Sequence, residues 1–206
     1  MIKDNLILDD ARILVWELTE SIVELLDQLK LTGLEVTEYE KFTSPKRRLE
    51  YLGVRIALKK LLGNDVVISY DANGKPSVSD KKHQISISHS NKWIAVMTHP
   101  TRPVGIDIEC PSDKIQKLYT RFLSKTEQKE LSDGKDNRQL QLAWSAKETL
   151  YKIIGKEAID FANQLRILPF EVHEVGKLTA MHLTTNTLYQ LSYIQTSAYT
   201  LVYCLV

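Results

Sequence analysis

The chain has 206 residues, 43% hydrophobic and 26% charged, which is ordinary globular usage and excludes disordered, collagen-like and coiled-coil classes. Lys plus Arg is 27 against Asp plus Glu 26, and a net charge of +1 argues against a dedicated nucleic-acid binder. Cys110 and Cys204 stand in no ligand spacing, so they argue against a disulfide framework or a zinc site and read as reduced thiols of a cytosolic protein.

Met1 to Asn5 leads into a short apolar stretch broken by Asp9, Asp10 and Arg12, which is no signal-peptide core. No run approaches the ~20 apolar residues of a membrane span, so a soluble cytoplasmic protein is expected. Ile13 to Trp16 reads as a strand. Thr19 is placed to cap a helix running to about Lys30, with Ile22, Leu25, Leu26 and Leu29 on one face. A stronger helix starts at Ser44-Pro45 and runs to Leu62, where Gly63-Asn64 stops it. Val66 to Tyr70 is the next strand, and Asn73-Gly74-Lys75-Pro76 is turn chemistry.

Gln84 to His89 alternates strictly and predicts a half-buried strand. After Ser90-Asn91-Lys92 the chain resumes at Trp93 to Met97, which makes a hairpin. Pro100 to Pro103 is the domain boundary, giving halves 1–102 and 103–206. Val104 to Glu109 is a third alternating strand. Ser124 and Glu127 have capping-box spacing, and a long helix spans about Arg138 to Ile154, closed by Gly155. Weakly patterned strands follow, ending in Tyr189 to Tyr193 and Tyr199 to Tyr203. Ser86 to Met97 and Ser192 to Tyr203 share a strand, polar loop, strand pattern with Trp93 and Tyr199 at one offset, which suggests two similar α/β halves.

Asp107 and Glu109 are two apart in a strand and so share a face, with Val104, Ile106 and Ile108 turned to the core. Two adjacent carboxylates repel unless something positive stands between them, and a hard cation such as Mg2+ is the natural partner. A solvated strand face is the plain alternative. Gly105 beside them would admit a ligand closely. In the long helix Glu148 and Lys152 are four apart. They make either a surface ion pair or a metal ligand with a phosphate clamp. Ser88-His89 ends a strand at a polar turn. The helix from Ser44 carries Lys46, Arg47, Arg48, Arg55, Lys59 and Lys60 with few acidic residues nearby, so it is a solvated face or a phosphate-binding helix start.

In order, G-K-P at Gly74 to Pro76, I-S-H-S at Ile87 to Ser90, V-G-I-D-I-E at Val104 to Glu109 and W-S-A-K-E-x-x-x-K at Trp144 to Lys152 resemble the 4'-phosphopantetheinyl transferase superfamily. The likeness is to its surfactin-synthetase-activating type and covers about Ser44 to Gly155. It implies an α+β fold of two halves related by a pseudo-twofold, each an antiparallel sheet packed on a long helix, with coenzyme A between them. It also implies transfer of 4'-phosphopantetheine from coenzyme A to a serine of an apo acyl- or peptidyl-carrier protein, releasing adenosine 3',5'-bisphosphate. Another Mg2+-dependent phosphotransferase and a coenzyme A-binding module without catalysis are the alternatives.

By the same resemblance, Asp107, Glu109 and Glu148 hold Mg2+, with Mn2+ able to substitute. Glu148 or a water is the base on the carrier serine. Lys152 contacts a phosphate near the reaction centre, and Lys147 supports the site on the coenzyme A side. Ser88 and His89 touch the 3'-phosphate end of coenzyme A, and Gly74, Lys75 and Pro76 flank the adenine. Arg48, ahead of Arg47, takes the 3'-phosphate, with Lys41 contributing. The N-terminal half is thus the adenine and 3'-phosphate side, and the C-terminal half carries the metal and the catalytic helix. One chain completes the site, so a cytoplasmic monomer with no nucleic-acid or membrane partner is expected.

Overall fold

The computed structural model describes residues 2–79, 82–131, 135–155 and 158–206, which leaves Met1 of the N-terminal reading outside the described residues. It divides into two units, Met1–Arg102 and Pro103–Val206, each a mixed α+β body with an antiparallel sheet against helices. Among the described residues no helix is long and apolar enough to cross a membrane.

The first unit opens with β1 (Ile2–Leu8) and β2 (Ala11–Glu17). Asp9 and Asp10 both take positive φ, 44° and 65°, which is the geometry a two-residue hairpin loop requires. The sequence reading had no strand at β1. Three helices follow, α1 (Ile22–Gln28), α2 (Gly33–Glu40) and α3 (Pro45–Leu62). The cap of α1 is Ser21 and not Thr19, because Ser21 and Glu24 exchange the reciprocal bonds of a capping box. α2, absent from the sequence reading, is capped in the same way by Thr32 and Glu35. The short strands β3 (Ile68–Tyr70) and β4 (Pro76–Val78) pair on their own, and β5 (Gln84–Ser90) and β6 (Trp93–His99) form the expected hairpin. The main sheet runs β1-β2-β6-β5. Its alternation is less clean than expected: β6 is buried throughout, and Ser86 and Ser88 of β5 are buried too. Leu52, Ala57 and Leu58 of α3 join Leu14, Trp16, Ile94 and Val96 of the sheet in the core.

The second unit starts with β7 (Val104–Glu109), α4 (Ile115–Phe122), α5 (Lys125–Glu130), α6 (Asn137–Ile154) and α7 (Phe161–Gln164). β8 (Leu165–Ile167), β9 (Val175–His182), β10 (Thr187–Gln195) and β11 (Thr200–Leu205) complete a sheet ordered β7-β11-β10-β9-β8. The expected box of Ser124 and Glu127 caps α5, Asp136 caps α6, and Gly155 ends α6 at φ 64°, a left-handed turn that glycine adopts without Cβ strain. In the first unit β2 pairs with β6, and in the second β7 pairs with β11. α6 covers one face of the second sheet through Leu142, Ala143, Ala146 and Leu150, which pack with Val202 and Cys204 of β11 and Leu191 of β10.

Lys147 and Glu127 are both fully buried beneath this helix. The Lys147 ammonium lies 2.7 Å from Glu127 Oε1 and donates to the carbonyls of Phe122, Phe161 and Leu165 at 2.7–2.8 Å. Glu127 in turn accepts from the backbone N–H of Ser124 and of Ile167, each at 2.8 Å. The pair therefore ties α6 to α4, α5, α7 and β8 at one point. Removing one partner leaves an uncompensated buried charge, so Glu127→Ala is expected to lower stability by roughly 3–5 kcal/mol. The double change Glu127→Leu with Lys147→Met should lose less than that single change in urea unfolding; an equal or larger loss would assign the effect to packing and not to charge.

Candidate active site

β7 and α6 build the site in the second unit. Asp107 pairs across the ladder with Val202, and Gly105 with Cys204, so the carboxylate side of β7 is the side that α6 covers. It is not the solvated face that a lone D-x-E suggests. The reverse side carries Val104, Ile106 and Ile108, at most 5% exposed. Gly105 has a different use from the one expected. A Cβ there would stand 2.6 Å from both Ile153 Cγ1 and the Thr149 carbonyl, so its bareness admits α6 itself and not a ligand.

With the helix this close, Lys152 reaches across to β7. Its ammonium lies 2.9 Å from Asp107 Oδ1 and donates to the Ile106 carbonyl at 2.9 Å. The partner is Asp107, where spacing alone had suggested Glu148. Glu148, one turn earlier on α6, is half-buried and has its pKa raised to about 7. Burial is the main cause, the Asp107 charge adds to it, Lys152 opposes it, and Glu109 adds a smaller push. The four residues picked from the sequence thus sense one another. Among the described residues, however, no three His, Cys, Asp or Glu side chains stand together as a metal cage. The donors still fit a Mg2+-like ion, which takes one or two carboxylates and fills its shell with water and phosphate oxygens.

Lys147 is a correction. It adjoins Glu148 in the sequence, but the roughly 100° step of the helix turns it to a different face, into the buried Glu127 and carbonyl nest. Its side chain is 0% exposed, so it braces α6 and touches no ligand.

The first unit gathers the N-terminal candidates unevenly. Glu50, 6% exposed on α3, receives Arg47 at 2.8 Å on one oxygen, and Lys46 at 3.9 Å and His89 Nδ1 of β5 at 3.6 Å on the other. Helix start and strand end are therefore joined through one carboxylate. Arg48 turns elsewhere: its Nε donates to the Phe42 carbonyl at 2.7 Å, and its guanidinium lies over the Tyr39 ring. Lys41 is exposed at the end of α2. Ser88 is buried in β5, one residue from His89. Gly74 and Lys75 form an exposed turn held by Asp71, whose Oδ1 accepts from the Lys75 N–H at 2.8 Å, and Pro76 begins β4.

The basic stripe on α3 is also corrected. Arg55 is 1% exposed, ion-paired with Glu35 at 3.2 Å and Glu38 at 3.1 Å, and stacked on the Tyr51 ring. It belongs to the interior, and the acidic residues that pair with it come from α2, a helix that the sequence pattern does not announce. Glu50 was missed as well. Its i,i+3 and i,i+4 spacing from Arg47 and Lys46 was legible, but its link to His89 was not.

A raised pKa means that folding disfavours the ionised Glu148. The penalty is absent well below its ordinary value of 4.5, grows as pH rises, and is complete above about 7. Its full size is up to about 3 kcal/mol. Glu148→Gln should therefore raise the melting temperature clearly at pH 8 and barely at pH 4, both in chelator. Equal shifts at the two pH values would rule out burial and carboxylate repulsion as the cause.

Residues 103–204 match the model of the 4'-phosphopantetheinyl transferase superfamily. The chain is 33% identical over 97 residues to the 4'-phosphopantetheinyl transferase Sfp of Bacillus subtilis (strain 168), covering 45% of this chain and 43% of that protein. It is 31% identical over 129 residues to the 4'-phosphopantetheinyl transferase gsp of Aneurinibacillus migulanus, covering 52% and 53%. A third relative, the 4'-phosphopantetheinyl transferase ffp of Bacillus subtilis, is 31% identical over 119 residues, covering 56% and 51%. The chain thus spans about half the length of these curated relatives.

Proposed function

Since the chain belongs to the 4'-phosphopantetheinyl transferase superfamily, we propose that it moves 4'-phosphopantetheine from coenzyme A to a serine of an apo acyl- or peptidyl-carrier protein. The observation that carries this reading is the meeting of Asp107, Lys152 and Glu148 between β7 and α6, inside the matched half.

In the reaction the serine oxygen bonds to the phosphorus that carries the pantetheine arm. The bridging P–O bond breaks, and adenosine 3',5'-bisphosphate leaves with that electron pair. Asp107, Glu109 and Glu148 would hold Mg2+, which neutralises the diphosphate and the charge developing on the leaving group. Mn2+ would substitute, since the donors are all hard oxygens. Lys152 is the clamp on a phosphate oxygen, at the end of a long stem that can leave Asp107. Glu148 is the acceptor of the serine proton. A water beside the ligands is the alternative acceptor.

The first unit would bind the other end of coenzyme A. Arg47 and His89 are assigned to the 3'-phosphate, supported by their shared contact with Glu50; Arg48 is already engaged with Phe42 and Tyr39. Ser88 adjoins them in β5, and the turn at Gly74, Lys75 and Pro76 would flank the adenine. The reading proposed is of a cytoplasmic monomer with no nucleic-acid or membrane partner.

Incubation with coenzyme A, Mg2+ and a panel of apo-carriers, read by intact mass, should show one pantetheine arm added per carrier, and none in excess chelator. No addition to any carrier, or full turnover in chelator, would overturn the reading. Lys152→Ala should slow transfer by the roughly 2–4 kcal/mol that a clamp on developing charge supplies. Arg47→Ala should weaken coenzyme A binding more than binding of 3'-dephospho-coenzyme A in calorimetry. Equal losses for both ligands would place the 3'-phosphate elsewhere.

A further inference from the structure

Resting on the function proposed above, we infer that Ser145 is a further positioning residue: its hydroxyl holds a water ligand of the proposed cation on the α6 side, facing Asp107 and Glu109. Ser145 is 0% exposed, and among the described residues its Oγ has no hydrogen-bond partner. A sealed hydroxyl left unpaired costs stability, so one that persists calls for a use. A serine or threonine inside a helix can bond back to the carbonyl four residues earlier. Thr149, one turn on, does so: its Oγ1 donates to the Ser145 carbonyl at 2.8 Å and to the Val202 carbonyl at 3.2 Å. Ser145 makes no such bond. Nor does close packing alone account for a serine here, since Ala143 and Ala146 fill that need on the same helix with no side-chain polar atom to satisfy.

Contacts at two places bracket its position. Gln141, Ser145, Glu148 and Lys152 follow one another at spacings of four, three and four, so they form one stripe along α6. At one end of the stripe Gln141 Nε2 donates to the Cys110 carbonyl at 2.6 Å. At the other, Lys152 Nζ lies 2.9 Å from Asp107 Oδ1 and 2.9 Å from the Ile106 carbonyl. α6 therefore runs antiparallel to β7, and Ser145 comes level with the stretch from Asp107 to Glu109. On that side of the strand those two carboxylates are the side chains turned to the helix. A Mg2+-like ion bound by few carboxylates keeps several waters. The Ser145 Oγ can accept a hydrogen bond from one of them, since its lone pairs are not engaged elsewhere. Partners outside the ligand set orient a metal site in this way.

The test compares Ser145→Ala with the wild type by two measurements. One is the melting temperature in chelator. The other is Mn2+ binding, read by the electron paramagnetic resonance of the free ion at one fixed concentration of coenzyme A. Alanine removes the unpaired hydroxyl and little volume, so the melting temperature should stay level or rise. Mn2+ affinity should fall about tenfold or more, the usual loss when an outer partner of a metal site is removed. Equal Mn2+ affinity in the two proteins would overturn the inference while leaving the proposed function standing. Weaker Mn2+ binding in a variant that also melts well below the wild type would overturn it too, assigning the loss to the packing of α6 on β7. Failure of the wild type to bind Mn2+ would overturn the proposed function, and this inference with it.

Discussion

α6 lies on β7 because Gly105 has no side chain. A single methyl group there would meet Ile153 and the Thr149 carbonyl at 2.6 Å, and the helix would have to lift. Everything at the site depends on that approach. Lys152 spans from the last turn of α6 to the side chain of Asp107 and the backbone of Ile106, and Glu148 comes near enough to Asp107 and Glu109 to feel their charge. The glycine next to the carboxylates thus acts by close packing, and the chemistry is placed by that packing.

The helix is also held from its other side. Lys147 and Glu127 form a fully buried ion pair whose remaining hydrogen-bonding capacity is taken up by three carbonyls and two backbone N–H groups. Such a pair contributes little net stability over a hydrophobic pair of similar volume, yet losing one member is costly. It fixes α6 relative to α4, α5, α7 and β8. Two successive residues therefore divide the work: Lys147 braces the helix inward, and Glu148 faces β7. Burial, with the Asp107 and Glu109 carboxylates adding to it, raises Glu148's pKa and carries a stability cost, as functional sites commonly do.

The first unit uses charge in two ways on one helix. At its start, Lys46, Arg47 and His89 gather on Glu50 near the surface, where an anion could compete for them. Two turns further on, Arg55 is sealed between Glu35, Glu38 and the Tyr51 ring, and serves the core. Both belong to the same basic stripe of the sequence. What separates them is α2, which brings its acids to Arg55.

Local signals carried much of this protein. Ser44-Pro45 and Gly63 bracket α3, Ser124 and Glu127 cap α5, Gly155 closes α6, and the alternating runs became β5, β6 and β7, because caps, turns and side-chain period act over a few residues. Other local signals went unread: the capping box of Thr32 and Glu35, the apolar spacing of Ile115, Tyr119 and Phe122 in α4, and the positive-φ pair Asp9-Asp10, which lacks the usual glycine. The order of motifs likewise pointed to Asp107, Glu109, Glu148 and Lys152 before any geometry was known. Partnership was decided only by the tertiary structure. Lys152 pairs with Asp107, 45 residues away, rather than with its helical neighbour Glu148; Lys147 is buried on Glu127; Arg47 and not Arg48 meets His89 through Glu50. A charged side chain's partner depends on which elements pack beside it and how closely. Sequence spacing settles only the neighbours on its own helix or strand.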